Sequence, residues 1–301
     1  MKRAASPLLT AAVALLHPQI SSAQSSIETS AFVVATNNGY GERYDPLYYS
    51  TIGTGNYSPT GVPVSAYGSA AFSGIDRNGD DTTMTFTGAS SASSGYGRMH
   101  TYASGSVLGS YYNTANGEYY NTPTGYVNEE GTPDQFIAYG QAAYSDAFTY
   151  TNTSAAVTVN FLYQISGAFL GDAGYHSVYV EFNGQSDYTV LRPDDGSFIN
   201  RTWATQPFNI LLNVPNHHRA TTLSQFDFCP EYHQDRQDYS GTVDFGSTVT
   251  LVGMELRDSD GKLVTGWSLN AASGTTYPIP EPSAAALAAI GAVALAGRRL
   301  R

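Results

Sequence analysis

The stretch DRNGDD, Asp76 to Asp81, places oxygen-bearing side chains at alternate positions: Asp76, Asn78 and Asp80. This spacing opens calcium-binding loops, because a hard cation gathers several oxygens from one tight turn. An EF-hand loop needs Gly at its sixth place and Glu at its twelfth, whereas counting from Asp76 gives Asp81 and Thr87. The residues therefore read either as calcium ligands outside that motif or as a turn, with Asn78-Gly79 supplying positive φ. A second concentration lies in PNHHRATTLSQFDFCPEYHQDRQD, which holds His217, His218, Cys229, Glu231, His233, Asp235 and Asp238. Three residues separate Cys229 from His233, a spacing that zinc or copper can use. No second pair has zinc-finger spacing, and a polar loop following a strand at Phe208–Val214 has the same composition. A Cys/His nucleophilic pair would need an oxyanion hole and a third, orienting group, and the sequence marks neither. The expected cofactor set is none, with calcium at Asp76, Asn78 and Asp80 as the alternative and His217, His218, Cys229 and His233 as candidate transition-metal ligands.

Two carboxylate pairs, Glu129-Glu130 and Asp194-Asp195, sit in NEEGTPD and RPDDGS, both loop-like. Catalytic carboxyls of glycosidases are set by separation in the fold, which sequence spacing does not fix. The chain has no G-x-S-x-G, H-E-x-x-H or P-loop signature, so no catalytic residue is assigned and no enzyme is expected. Tyrosine pairs recur at Tyr48-Tyr49, Tyr111-Tyr112 and Tyr119-Tyr120. Such rings either stack on sugars or fill loops and sheet edges, and YYNTANGEYYNTPTG is the stretch that would bind glycan in the first case.

The elements positioning these residues are strands. AAVTVNFLYQIS sends Val157, Val159, Phe161, Tyr163 and Ile165 to one face, the period of a half-buried antiparallel strand. HSVYVEFN repeats it with Val178, Val180 and Phe182, and PFNILLNV with Phe208, Ile210, Leu212 and Val214. Ser247–Leu256 and Lys262–Asn270 flank Asp258–Gly261, a hairpin signal. Further strands are expected at Ala31–Thr36, Thr82–Thr87, Gly97–Ser104 and Gln135–Tyr150. With charged residues at only 13%, 23 Tyr and 30 Gly, the surface must be wetted by hydroxyls and amides rather than by long charged helices. The expected fold is all-β: one jelly-roll-like antiparallel β-sandwich over residues 24–279, its Tyr/Gly-rich beginning irregular.

Charge excludes one partner class. Outside the two termini, nine basic groups face 24 acidic ones, so the body lies near −15 and offers no basic surface to nucleic acid. Cys229 is the single cysteine, so no intrachain disulfide forms.

The termini read as addresses. MKRAASPLLTAAVALLHPQISSAQ has Lys2 and Arg3, a short broken apolar run, and small residues before Gln24. This is a signal-peptide layout over residues 1–23, with cleavage between Ala23 and Gln24 and the Sec translocon and signal peptidase as partners. At the other end, Pro280-Glu281-Pro282 precedes an uncharged run from Ser283 to Gly297 and then Arg298, Arg299 and Arg301. Fifteen helical residues reach about 23 Å, short of a ~30 Å hydrocarbon core, so the run is a short transmembrane helix suited to transient inner-membrane insertion. The arginines hold its end in the cytoplasm and the body outside.

This three-part order over residues 280–301 resembles the PEP-CTERM sorting signal. The resemblance implies recognition by exosortase, a membrane-embedded protease-transpeptidase with a cysteine nucleophile, in cells that make exopolysaccharide. The prolines keep the triplet extended, as a protease cleft requires. GYGRMHTYASGS, QAAYSDAFTY and TVDFGSTVTLVGMELRDSDGKLV, with AASGTTYP where the family reads SASGTTYP, are similar to segments common in such exported proteins, loosely over residues 89–278. They imply a β-sandwich and carry no known activity. The expectation is an exported, non-enzymatic protein of the cell surface or exopolysaccharide matrix, sorted and cleaved through its C-terminal signal. A carbohydrate-binding module of the same fold is the alternative, and a polysaccharide-modifying enzyme a more distant one.

Overall fold

A computed structural model describes residues 25–36, 55–75, 81–108, 111–113, 118–120, 135–153, 155–171, 174–228 and 238–279. The strands are β1 (Ser26–Thr36), β2 (Gly55–Ser58), β3 (Val64–Ile75), β4 (Asp81–Gly95), β5 (Arg98–Leu108), β6 (Tyr111–Asn113), β7 (Glu118–Tyr120) and β8 (Gln135–Thr151). Then follow β9 (Thr158–Gly171), β10 (Tyr175–Phe182), β11 (Gln185–Leu191), β12 (Phe198–Ala204), β13 (Phe208–Asn209), β14 (Pro215–Phe228), β15 (Asp238–Arg257) and β16 (Ser268–Ala271). One sheet of seven strands runs β11-β10-β14-β8-β1-β2, with β16 also on β8; a second of nine runs β12-β9-β15-β5-β4-β3-β6-β7, with β13 on β9. All pairings are antiparallel, and the sheets bury one face each as a β-sandwich.

The alternation in β9 builds as the residue pattern demands. Val159, Phe161, Tyr163 and Ile165 are fully buried, while Val157 precedes the strand and is exposed. β10 buries Val178, Val180 and Phe182 and joins β11 through Asn183-Gly184, both at positive φ, the primed turn that matches strand twist. Two expectations change. PFNILLNV pairs only over Phe208–Asn209; Asn213 then turns with φ 58° and Val214 is exposed, so the four apolar residues do not share one face. Beyond the Asp258–Gly261 turn only an Arg257–Leu263 bridge forms, and the chain crosses to lay β16 on β8 of the other sheet. The stretch 215–238, read as candidate metal ligands or as a polar loop, is a strand over Pro215–Phe228: β14, central between β8 and β10.

The core has two parts. The larger gathers rings from β8, β9, β10 and β15, including Tyr144, Phe148, Phe161, Tyr163, Phe182 and Phe245. The smaller is built from Ala31, Val33, Ala103, Val107 and Ala138 around Phe86, Phe226 and Tyr239. Here the nine-stranded sheet carries glycines in direct register across five neighbouring strands: Gly68 faces Gly88, Gly88 faces Gly105, Gly105 faces Gly241 and Gly241 faces Gly171. At Gly105 the reason is close approach. A Cβ there would lie 2.2 Å from the Phe226 ring, which enters from the opposite sheet.

Candidate functional site

The structure scatters the candidate metal ligands or leaves them outside its scope. Asp76, Asn78 and Asp80 lie outside the described residues, between β3 and β4, as do Cys229, Glu231, His233 and Asp235 between β14 and β15. His217 and His218 are consecutive on β14 and face opposite sides of the sheet: His217 is half-buried and His218 fully buried. Among the described residues no three His, Cys, Asp or Glu side chains cluster closely enough to hold a metal ion. Asp194 and Asp195 form a short 3-10 turn in which Asp195 accepts a hydrogen bond from the Arg192 amide at 2.7 Å. Glu129 and Glu130 are outside the described residues, as are residues 1–23 and 280–301 with the cleavage and sorting positions. Among the described residues no helix is long and apolar enough to cross a membrane. Register sets Tyr111 opposite Tyr120 and Tyr112 opposite Tyr119 in the β6–β7 pair.

Sequence reasoning missed the buried polar groups. Asp146 on β8 is completely buried. Its Oδ1 accepts the Ala147 and Ser273 amides at 2.9 and 3.0 Å, and its Oδ2 accepts the Ser273 hydroxyl at 2.5 Å and the Tyr277 hydroxyl at 2.8 Å. Four neutral donors replace the water that burial removes, the condition under which a buried carboxylate is tolerated. Burial, and then the neighbouring Asp146 carboxylate, push the Tyr277 phenol well above its usual range, so it stays a donor. Tyr277 also packs edge-on against Phe148 at 5.0 Å. The final described segment is thus latched to the middle of the sandwich. Both halves of this latch lie in segments quoted above for their resemblance, QAAYSDAFTY and AASGTTYP, but nothing in either announces that they meet.

Two histidines make the other polar centres. His176 stacks on Phe245 at 3.6 Å with both nitrogens partnered, Nδ1 to the Ser224 hydroxyl and Nε2 to the Thr222 hydroxyl, each at 3.1 Å. Ser224 reaches on to Thr101 of the other sheet at 2.8 Å. His218 sits among Tyr144, Phe148 and Phe161, its Nε2 3.0 Å from the Tyr163 hydroxyl and its Nδ1 without a partner. Burial lowers both imidazoles to about 3, aided at His218 by His217, so both are neutral. Sealed inside the core, they cannot serve a solvent-borne substrate.

Among the described residues a groove of about 370 Å³ lies on the outer face of the nine-stranded sheet. Gly88, Gly105, Gly241 and Gly171 of the register row lie along it, flanked by outward residues on either side. One outward row runs Tyr67, Ala89, Ser104, Thr242 and Leu170; the next carries Thr87, Ser106 and Ser240. The middle residues are short and the ends tall: Tyr67 is 62% exposed and Leu170 58%, with Tyr102 forming a side wall. Five strands at ~4.8 Å spacing make a trough about 19 Å long, crossing the strands. No charged side chain lines it.

Comparison with known proteins gives little. No family model matches the chain, and no curated protein matches it. Among solved structures, a PA14 sugar-binding domain from an RTX adhesin is similar at 13% identity and a TM-score of 0.18. That similarity covers 50% of this chain and 59% of the adhesin domain.

Proposed function

We propose that this chain is an exported, non-enzymatic β-sandwich protein of the cell surface or exopolysaccharide matrix, one jelly-roll-like unit over residues 24–279. Exosortase recognises its Pro280-Glu281-Pro282 triplet and arginine tail and separates the body from the residues that follow. The observation supporting this reading is the latch. Asp146 binds Ser273 and Tyr277, so the sandwich closes at Tyr277, three positions before Pro280. A sorting signal appended to a finished domain can be removed without unfolding it. Mass spectrometry of the exported protein tests the reading. Loss of the residues after the Pro-Glu-Pro region is expected, and a surface form retaining Arg301 would overturn it.

A second reading, a carbohydrate-binding module of the same fold, is favoured by the strand-crossing groove with Tyr67 and Tyr102 at its walls. Tyrosine rings offer an apolar face to sugar C–H groups and a hydroxyl at the edge.

A further inference from the structure

We infer that the groove between Tyr67 and Leu170 binds a single neutral polysaccharide chain laid across the strands, an inference that rests on the carbohydrate-binding reading. Three features set the ligand class. The first is shape. The groove crosses five strands and is open to solvent, which suits a linear polymer rather than a compact metabolite. The second is lining chemistry. Thr87, Ser104, Ser106, Ser240 and Thr242 present hydroxyls, each able to donate and accept, which matches the mixed donors and acceptors of sugar hydroxyls. Tyr67 and Tyr102 add the ring faces on which a pyranose stacks, and Leu170 closes the far end.

The third feature is charge. The body lies near −15, yet the groove holds neither an acidic nor a basic side chain. An anionic polymer would meet the repulsion of the whole body with no local cation to offset it. A cationic one would be held better by the acidic surface elsewhere. A neutral polymer loses nothing by settling where the surface is uncharged. Glycine contributes to the shape: at Gly105 the absent side chain lets the two sheets approach closely around Phe226, and the short residues Ala89, Ser104 and Thr242 stand outward beside the row.

The test uses the full-length chain in affinity electrophoresis against a neutral β-glucan, a neutral mannan and anionic polygalacturonate of similar length. Retention by at least one neutral polymer is expected, unchanged between low and high salt because no ion pairs form. Ser104→Trp, which fills the trough from the solvent side, and Tyr67→Ala with Tyr102→Ala should each weaken retention by about tenfold or more. Tyr179→Ala with Tyr188→Ala, on the outer face of the seven-stranded sheet, should leave it unchanged. Preference for polygalacturonate, no retention by either neutral polymer, equal retention of the Ser104→Trp protein, or loss on changing Tyr179 and Tyr188 would each overturn the inference. Circular dichroism and melting of each variant separate lost binding from lost folding. The sorting reading is judged separately, from the mass of the exported chain, so either can fail alone.

Discussion

The inward positions of β8 grow along the strand. Ala138, Gly140 and Ala142 come first, then Tyr144, Asp146, Phe148 and Tyr150. One strand therefore serves a thin end, where alanine and glycine let the sheets close on Phe226, and a thick end, where aromatic rings surround a polar latch. The difference separates two tasks. Large buried rings contribute on the order of 1.5–3 kcal/mol each, so stability concentrates at the thick end. The thin end contributes less to the core but leaves short residues on the outside of the sheet, and the groove lies there. At the thick end Asp146, His176 and His218 are fully buried.

Breaking the latch should have the largest effect. Asp146→Ala leaves the Ser273 and Tyr277 donors without their acceptor in a buried site, and about 3–5 kcal/mol of stability should be lost in urea unfolding. Tyr277→Phe removes one of these bonds and should cost only about 1–2 kcal/mol. Equal, small effects from both would mean that the thick end does not depend on the latch.

Acid should weaken the thick end next. His176 and His218 titrate near 6.5 when unfolded and at about 3 when folded. Between those values the unfolded chain binds protons that the folded one refuses. The histidine contribution is therefore fully present above pH 6.5 and declines as pH falls toward 3. At pH 4.5 each should have lost roughly 2–3 kcal/mol. In His218→Phe the slope of stability against pH over this window should fall by one proton's worth, about 1.4 kcal/mol per pH unit. An unchanged slope in that variant would remove His218 from the account.

The thick end was partly legible in the sequence and the thin end barely. β9 and β10 alternate apolar with polar, so their buried faces could be named. β14 could not, because its inward residues include Asn216, His218, Thr222 and Ser224. Each of these has a partner on another strand or sheet, although His218 is bonded through Nε2 alone, and a strand whose core face is polar looks like a loop. The latch was hidden for a related reason: its two halves lie 127 residues apart at Asp146 and Ser273, and a hydrogen bond leaves no periodicity. The glycine row was hidden because it belongs to the register. Gly68, Gly88, Gly105, Gly171 and Gly241 are unremarkable singly and align only once five strands are paired. The tyrosine pairs that stand out in the sequence, Tyr111-Tyr112 and Tyr119-Tyr120, face each other in the β6–β7 pair, whereas the single residues Tyr67 and Tyr102 line the groove.

The smallest of these effects tests whether the thin end is thin by construction. In Gly105→Ala the added methyl meets the Phe226 ring, so either the ring turns or the sheets part. Overpacking of this kind should cost about 1–3 kcal/mol. Phe226→Leu alone leaves a void and should also destabilise. Combined, the methyl occupies part of the space the ring vacated, and the double variant should lose less than the sum of the singles by about 1 kcal/mol or more, the coupling expected of residues in contact. Additive losses would mean that Gly105 and Phe226 do not share that space, and the close approach of the sheets would need another cause. A positive coupling ties the inside to the outside: the ring that requires glycine within the sheet is then also the reason that the surface above it is low enough to hold a ligand.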